Sequence, residues 1–199
     1  MHRKCLLDQC GKKTLSVPPD YIKGVVDGDG SISVITQVRN ERIDWGLNFS
    51  LALDANSAVT AEIVKYCLNS NATITQVQSR KNPNQITSLN LALRNEKDIG
   101  SVFDYFNVHG RPLGDLRNKE LDLAYEYQLL KQNNGLKDYP IALAFLKKIY
   151  RLSESIQKGA VRTPFEETSE ALQKMCGPNS KYYPPFESTQ LFKYSIYFS

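Results

Sequence analysis

Apolar and polar residues alternate at every second position in four stretches of the chain, the pattern that predicts half-buried β-strands. In the first stretch, SISVITQVR, the apolar positions are Ile32, Val34 and Val38, and in the second, WGLNFSLALD, they include Phe49. The segment NERID between them predicts a hairpin turn. Two later stretches, ITQVQSRK and ITSLNLAL, alternate in the same way around the turn NPNQ and predict a second hairpin.

Apolar residues at helical spacing lie before, between and after these hairpins. Pro18 and Pro19 suit the first turn of a helix that runs to Gly30, with Ser16 or Asp20 as its cap. Further helices are predicted in SAVTAEIVKYCLNS, NEKDIGSVFDYF and KELDLAYEYQLLKQ. The order α-β-β-α-β-β-α-α predicts a mixed α+β domain with a four-stranded antiparallel sheet.

The predicted domain covers residues 16–135, between a basic N-terminal extension at 1–15 and a C-terminal segment at 136–199. The C-terminal segment carries two more predicted helices, IALAFLKKIYRLSESI and TPFEETSEALQKMC, and ends in an aromatic tail. These helices could extend a binding surface, brace a dimer or cover the core, and the sequence leaves the three roles open.

The strand faces opposite the leucines share one composition: they carry uncharged polar or basic residues and no acidic one before Asp54. Gln and Asn side chains can pair with adenine, and Arg with guanine, in the major groove of DNA. An antiparallel sheet also commonly exposes one polar face to water, which is the alternative. The candidate DNA-facing residues are Ser33, Gln37, Arg39, Asn48, Ser50, Gln76, Gln78, Arg80, Ser88 and Asn90, with Arg42 and Lys81 in the hairpin turns near flanking phosphates.

Charge and composition permit a nucleic-acid partner without requiring one. The chain of 199 residues has a net charge of +4 and a pI near 8.8, a mild excess that many proteins without such a partner share. No apolar run has the length of a membrane span, and the N-terminus lacks the apolar core of a signal peptide. The four cysteines complete no zinc motif and are expected to be free thiols. We therefore expect a protein of an organelle or the cytoplasm, not a secreted one.

The first predicted helix contains glycines at positions where a helix tolerates them poorly. Gly24 and Gly28 lie four residues apart on one helical face, and each interior glycine costs about 1 kcal/mol relative to alanine. A face without side chains lets a second helix approach closely. That helix would belong either to the same chain or to a second copy of it.

Asp29 lies at the C-terminal end of this helix, where its charge meets the negative end of the helix macrodipole. A divalent cation would offset this repulsion, and Asp29 with the carbonyl of Gly28 offers the hard oxygen ligands that Mg²⁺ accepts. Two such helices side by side would bring two aspartates together. The result would be a two-carboxylate metal site suited to phosphodiester cleavage.

The stretch IKGVVDGDG, residues 22–30, resembles the signature of the LAGLIDADG homing endonucleases, with Lys23 in place of a small residue and Gly28 at the second alanine. The αββαββα order of that family follows over residues 16–135. The resemblance implies an intron-homing enzyme that cuts double-stranded DNA at a long, near-palindromic site with Mg²⁺. It implies Asp29 as the metal ligand, assisted by the Gly28 carbonyl. Because the motif occurs once, it also implies a homodimer.

The same resemblance assigns roles to further residues. Asp27 would serve mainly in packing or capping. Near the end of the second strand, where the family commonly has a glutamine that orients water, this chain has Asp54, with Asn56 close by. A basic residue before the last core helix would contact the scissile region, and Arg117 and Lys119 are both candidates. The residues of the dimer interface would be Ile22, Gly24, Val25, Asp27 and Gly28.

Two other functions are compatible with the same residues. The family's fold also serves in RNA-binding intron maturases and in DNA-binding regulators that no longer cleave. A metal-independent homodimerisation module with a hydrated polar sheet is a third possibility, which the recurrence of Gln, Asn and Arg on all four strands disfavours.

Overall fold

The computed structural model describes residues 17–155, 163–178 and 180 of the chain. Helix α1 (Pro19–Asp29) leads into strand β1 (Gly30–Arg39), and β2 (Arg42–Asp54) follows it. Helix α2 (Ala58–Cys67) precedes the second hairpin, β3 (Ile74–Gln78) and β4 (Ile86–Leu93). The remaining elements are α3 (Glu96–His109), α4 (Asp115–Gln132), a 3₁₀ turn (Gly135–Lys137), α5 (Tyr139–Ser155) and α6 (Phe165–Cys176).

This order confirms the predicted α-β-β-α-β-β-α-α arrangement and the two helices that follow it. The N-terminal extension at 1–15 and the aromatic tail lie outside the described residues. Within the described part, no helix combines the length and the apolar character needed to cross a membrane.

The four strands form one antiparallel sheet, as predicted, and their order in it is β1-β2-β4-β3. β2 pairs with β4 from Phe49 opposite Leu93 to Asp54 opposite Ser88. β3 pairs with the same strand, with Ile74 opposite Leu91 and a bulge between Val77 and Gln78. Residues that face each other across two strands point to the same side of a sheet, so this register decides which residues share a face.

The first hairpin turns more tightly than predicted. β1 ends at Arg39 and β2 begins at Arg42, so the turn consists of Asn40 and Glu41, whose φ angles are 49° and 61°. Two residues with positive φ are what a type I′ turn requires. The prediction that Arg42 lies in the turn is therefore wrong: it is the first residue of β2, and Asp44 lies inside that strand.

The second hairpin has a shorter first strand than predicted. β3 ends at Gln78, so Arg80 lies in the connection to β4 and not on a strand face. The Ser79 hydroxyl accepts the backbone N–H of Lys81 at 3.2 Å, which folds the chain away from the strand direction. Lys81 lies in this connection, as predicted.

The described chain divides into two compact units. The first comprises residues 17–31 and 49–118, and the second comprises 32–48 and the described part of 119–180. The division runs through β2 and α4 and does not coincide with residue 135. The predicted boundary between a core and a C-terminal extension stays a prediction.

In the first unit, the leucine faces of β2 and β4 form the core, as their alternation predicts. Helix α1 contributes Ile22 and Val26, both with fully buried side chains, and α2 packs against β4. The buried strand residues are Phe49, Leu51, Leu53, Leu89, Leu91 and Leu93.

In the second unit, the turn end of the first hairpin packs with the C-terminal helices. Ile43 lies in a buried cluster with residues of α5 and α6, among them Leu146 and Leu172. Trp45 packs beside this cluster, and its ring lies 6.0 Å from that of Phe145. In this unit the C-terminal helices therefore cover the apolar residues of the hairpin.

Candidate metal-binding helix and nucleic-acid interface

Helix α1 presents two different faces. Ile22 and Val26 are buried, whereas Gly24 and Gly28 are exposed, and a Cβ atom built on either glycine meets no described atom within 4 Å. Tyr21 continues the glycine face with 43% of its surface exposed. Among the described residues, no helix packs into the glycine face, so the contact predicted within the same chain is not found there.

Asp29 ends α1 with an exposed side chain. The next residue, Gly30, is extended and closes the helix with its N–H on the carbonyl of Val26. A Cβ at Gly30 would lie 2.5 Å from that carbonyl oxygen, so the close turn from helix to strand requires glycine. This turn places an exposed carboxylate next to the start of β1.

The Gly28 carbonyl lacks its helical partner at the same turn. The N–H of Ile32, which would continue the helix to that carbonyl, donates instead to Glu120 Oε2 at 3.0 Å. The last carbonyls of a helix remain available for outside ligands. An exposed carboxylate and a backbone carbonyl one residue apart are both hard oxygen donors and fit a Mg²⁺ ion.

One chain supplies few such donors. Within the described ranges, no cluster of three or more His, Cys, Asp and Glu side chains could hold a metal ion. Mg²⁺ is commonly held by one or two carboxylates together with substrate phosphates. The donor set of Asp29 and Gly28 thus fits this ion if further oxygens come from outside the chain.

Asp27 has a different environment from Asp29. Its carboxylate accepts the backbone N–H of Leu113 at 2.7 Å and that of Gly114 at 3.0 Å. Both N–H groups immediately precede α4, which begins at Asp115. Asp27 therefore caps the N-terminus of α4 from a neighbouring helix, in line with the capping role that the resemblance implies.

The predicted dimer-interface residues thus separate into two groups. Gly24 and Gly28 are exposed, and Val25 is half-buried. Ile22 has no exposed surface, so its side chain cannot meet a partner, and the prediction for this residue is wrong. Its position follows from the 3.6-residue period of the helix, which turns it to the core.

The two candidate basic residues, Arg117 and Lys119, differ in their exposure to solvent. Both lie inside the first turns of α4, and not before that helix. Arg117 is buried, with 7% of its surface exposed, and its Nε donates to the Val26 carbonyl at 3.3 Å. Lys119 is exposed. Only Lys119 therefore has a side chain that an external phosphate could reach without rearrangement.

Asp54, the candidate for orienting water, is the last residue of β2 and is exposed. It lies opposite Ser88 on the polar face of the sheet. Asn56, two residues later, is also exposed. Both side chains remain open to solvent, as a residue that orients water requires.

The polar face of the sheet is largely as predicted in β2 and β4. Ala52 lies opposite Asn90, and Asp54 opposite Ser88, so these side chains share a face with Asn48 and Ser50. In β1 the residues that alternate with the buried ones are Ser33, Ile35, Gln37 and Arg39, of which Gln37 and Arg39 are exposed.

The register corrects the predicted face of β3. Gln76 lies opposite Leu89, on the leucine side of the sheet, and is exposed only because β3 is an edge strand. Thr75 and Val77 lie opposite Asn90 and Ser88 and therefore occupy the polar face in its place. The bulge then returns Gln78 to the polar side, opposite Ile86.

The sequence signal that favoured Gln76 was composition rather than pairing. Gln can pair with adenine, so composition favoured Gln76, whereas nothing in the sequence marked Thr75 and Val77 as DNA-facing. Only strand register shows which of the two alternating sets faces Asn90.

The prediction of a face without acids before Asp54 is also wrong. Asp44 lies in β2, and its Oδ2 is 3.7 Å from Arg39 Nε. Arg39 also donates to Gln37 Oε1 at 2.7 Å. These three exposed side chains form a polar cluster near the turn of the first hairpin.

Comparison with solved structures finds homing endonucleases. The archaeal intron-encoded homing endonuclease I-Vdi141I, complexed with DNA, aligns at a TM-score of 0.60 and 15% identity, over 79% of this chain and 95% of its own. The homing endonuclease I-CvuI, in complex with the I-CreI target, aligns at 0.58 and 14%, over 79% of this chain and 93% of its own. The chain has the LAGLIDADG homing endonuclease fold.

The I-SmaMI LAGLIDADG homing endonuclease bound to cleaved DNA shares the LAGLIDADG fold as well, with a TM-score of 0.57 and 15% identity. That alignment covers 86% of this chain and 52% of the I-SmaMI chain. No family sequence model matches the chain, and no curated protein matches it. At such low identity the likeness concerns the LAGLIDADG fold alone.

The LAGLIDADG fold confirms the resemblance that residues 22–30 indicated. In this fold the motif is α1, followed at once by the first hairpin. The predicted core of 120 residues is 60% of the 199-residue chain. The alignments cover 79% of the chain or more and therefore extend beyond this core. Part of the C-terminal helical segment therefore also belongs to the shared LAGLIDADG fold.

Proposed function

We propose that this protein is a homodimeric, Mg²⁺-dependent endonuclease that cuts double-stranded DNA at a long, near-palindromic site. The observation that carries the proposal is the exposed Asp29 at the end of the open Gly24–Gly28 face of α1. Support comes from the fold, since I-Vdi141I is complexed with DNA and I-SmaMI is bound to cleaved DNA. Intron homing in an organelle is the setting that the motif implies.

Dimerisation follows from the glycine face. Two exposed glycines in one helix destabilise it by about 1 kcal/mol each relative to alanine, and no described neighbour uses the space that they leave. The α1 helix of a second copy would fill that space by close backbone packing. The contact would bring the two Asp29 side chains, each at the same end of its helix, into one site.

Asp29 of each copy and the Gly28 carbonyl would hold the metal ions together with phosphate oxygens of the DNA. A bound Mg²⁺ ion would supply Lewis-acid stabilisation of the charge that develops on the phosphate and a water of lowered pKa. Asp54 would orient the attacking water from the end of β2. Lys119, which is exposed on α4, would contact a phosphate of the DNA backbone.

Sequence recognition would come from the polar face of the sheet. Asn90 and Gln37 can read adenine in the major groove, and Arg39 can read guanine once it leaves Asp44. The apolar side chain of Val77 can contact a thymine methyl group. Two copies carry a net charge of 2 × (+4) = +8, which favours a polyanionic partner.

The experiment that tests the proposal is selection of bound and cleaved duplexes from a randomised DNA library, first with Mg²⁺ and then with Ca²⁺. We expect a long, near-palindromic site that is bound with either ion and cut only with Mg²⁺. A site without two-fold symmetry would contradict the homodimer. Failure to enrich any duplex would contradict DNA recognition altogether.

A non-cleaving binding protein of the same fold is the second candidate. Two observations favour it: Arg117, a candidate for the scissile region, is buried, and Asp54 occupies the position where the motif's family commonly has glutamine. A DNA regulator would enrich a site that is never cut. An intron maturase would prefer folded intron RNA over any duplex in the same selection.

A further inference from the structure

The C-terminal turn of α1 and the start of α4 are joined by hydrogen bonds in both directions. In each case a side chain of one helix bonds to backbone groups at the end of the other. Asp27, near the end of α1, accepts the two N–H groups that precede α4. Arg117, at the start of α4, donates Nε to the Val26 carbonyl near the end of α1. An acid therefore lies at a positive helix end and a base at a negative one, both the favourable arrangement.

The two hydrogen-bonded ends are tightly fitted. A Cβ built on Gly114 would lie 3.2 Å from Asp27 Oδ1, so a side chain there would crowd the carboxylate. The Asn118 amide donates to the carbonyls of Pro112 and Gly114 at 2.9 and 3.2 Å and so closes the segment before α4 on itself. Residues 112–118 thus form a segment, closed by its own hydrogen bonds, that also bonds to the last turn of α1.

Arg117 is placed to act on that turn rather than on DNA. Its side chain is buried, and the carbonyl that it binds is the one that also accepts the N–H of Gly30. That N–H closes the helix one residue after Asp29. A charge-assisted donor on this carbonyl anchors the turn to α4, and its positive charge lies where the helix dipole is negative.

We infer that Arg117 is a positioning residue that fixes Asp29 and the Gly28 carbonyl through the Val26 carbonyl, and that Lys119 is the basic side chain of this helix turn that meets the DNA backbone. The contact between Arg117 and α1 is read from the structure, whereas its effect on metal binding rests on the proposed endonuclease function. The inference departs from the expectation that Arg117 could contact the scissile region.

The first measurement needs neither DNA nor metal. Amide hydrogen exchange is followed in the full-length Arg117→Met, Arg117→Gln and Lys119→Met variants, with particular attention to the Gly30 amide. Arg117→Met should raise exchange at residues 28–31 by roughly tenfold or more over wild type, because the last turn of α1 loses an anchor to α4 and opens more often. Arg117→Gln keeps an amide donor and should restore part of the protection, whereas Lys119→Met should change nothing there.

The second measurement uses the DNA duplex recovered by the selection described above, in Ca²⁺, and determines how binding affinity falls with salt concentration. Each phosphate contact contributes a slope of about 0.9. Lys119→Met should lower the magnitude of the slope by about one unit per subunit. Arg117→Met should leave the slope unchanged.

Unchanged Gly30 exchange in Arg117→Met would overturn the inference, as would a lower salt slope in that variant. Equal loss of protection in β4 and at residues 28–31 would also overturn it, since Arg117 would then be an ordinary core residue. Should Arg117→Met fail to fold, Arg117→Gln is compared with Lys119→Met instead. The inference then requires faster exchange at residues 28–31 in Arg117→Gln only and a lower salt slope in Lys119→Met only. If no duplex is bound at all, the proposed function fails while the exchange data still decide the positioning role.

Discussion

Asp27 and Asp29 lie two residues apart and have opposite surroundings. Asp27 accepts two backbone N–H groups from the segment before α4, while the Asp29 side chain is exposed. Because a helix rotates by about 100° per residue, two positions turn a side chain to the other side. Asp27 therefore caps α4, whereas Asp29 is free to take the metal-binding role that we propose for it.

Asp29→Asn should reduce cleavage by roughly a thousandfold or more, because the neutral amide no longer provides an anionic metal ligand. DNA affinity in Ca²⁺ should stay within about threefold of wild type, since in the proposed complex most contacts would come from the polar sheet face and from phosphate-binding residues. Cleavage rates and binding titrations on the selected duplex measure both.

Asp20→Asn is the matched control, because Asp20 is an exposed aspartate at the other end of the same helix. It should leave cleavage unchanged. Loss of binding together with cleavage in Asp29→Asn would assign Asp29 a structural role instead.

At the scale of elements, α1 combines a core face with an open glycine face. Its stability within the chain comes from burial of Ile22 and Val26. Its two exposed glycines lower the stability of the helix, and no described neighbour packs into the space that they leave. This combination is the physical argument for a partner helix from a second copy.

Gly24→Leu should leave the monomer folded, since the Cβ position meets no described atom within 4 Å, and should break the dimer. Overpacking of a close contact costs about 1–3 kcal/mol, which corresponds to a dissociation constant higher by roughly five- to 150-fold. Sedimentation equilibrium measures the dimer and circular dichroism the fold.

Gly100→Leu provides the comparison for this substitution. Gly100 is also a helical glycine with open space around its Cβ position, but it lies in α3. That variant should remain dimeric. A Gly24→Leu protein with wild-type sedimentation would rule out pairing through α1.

Strand register makes a separate prediction for the edge strand β3. Thr75 shares the polar face with Asn90, whereas its neighbour Gln76 lies opposite Leu89. Thr75→Ala should relax the base preference at one position of each half-site by roughly tenfold. Gln76→Ala should leave the selected sequence unchanged. A changed preference in Gln76→Ala alone would mean that β3 meets DNA in another register.

On the scale of the whole molecule, the division into units cuts across the chain order. Residues 32–48 belong with the C-terminal helices, although residues 49–54 of the same hairpin belong to the first unit. The turn end of the first hairpin, which carries Gln37 and Arg39, depends on α5 and α6 for its core. The C-terminal segment therefore supports part of the proposed DNA-reading surface.

Leu172→Ala should test this dependence, because Leu172 is fully buried in the cluster that includes Ile43. Removing such a side chain costs about 2–5 kcal/mol of unfolding free energy. Urea denaturation measures the loss, and exchange of the amides in residues 32–48 should rise with it.

Leu129→Ala is the control, since Leu129 is an exposed leucine of the same unit. Its effect should stay within about 0.5 kcal/mol. An equally small effect of Leu172→Ala would show that α6 contributes little to the stability of this unit.

The sequence by itself determined the order of the elements, the α+β class and the identity of the motif helix. Local periodicity carries that information: Phe49, Leu51 and Leu53 of β2 are buried at every second position, and Ile22 and Val26 follow the helical period. The sequence also singled out Asp29 as a candidate metal ligand, because an aspartate at the C-terminal end of a helix conflicts with the helix dipole; this assignment stays a prediction.

Only the tertiary structure decided which residues meet across the chain. Strand register places Thr75 and Val77, and not Gln76, on the polar face. Because the turn has only two residues, Asp44 lies inside β2. The burial of Arg117 under the Val26 carbonyl joins positions 91 residues apart. Such contacts depend on where two distant elements pack, which no local pattern of polar and apolar residues encodes.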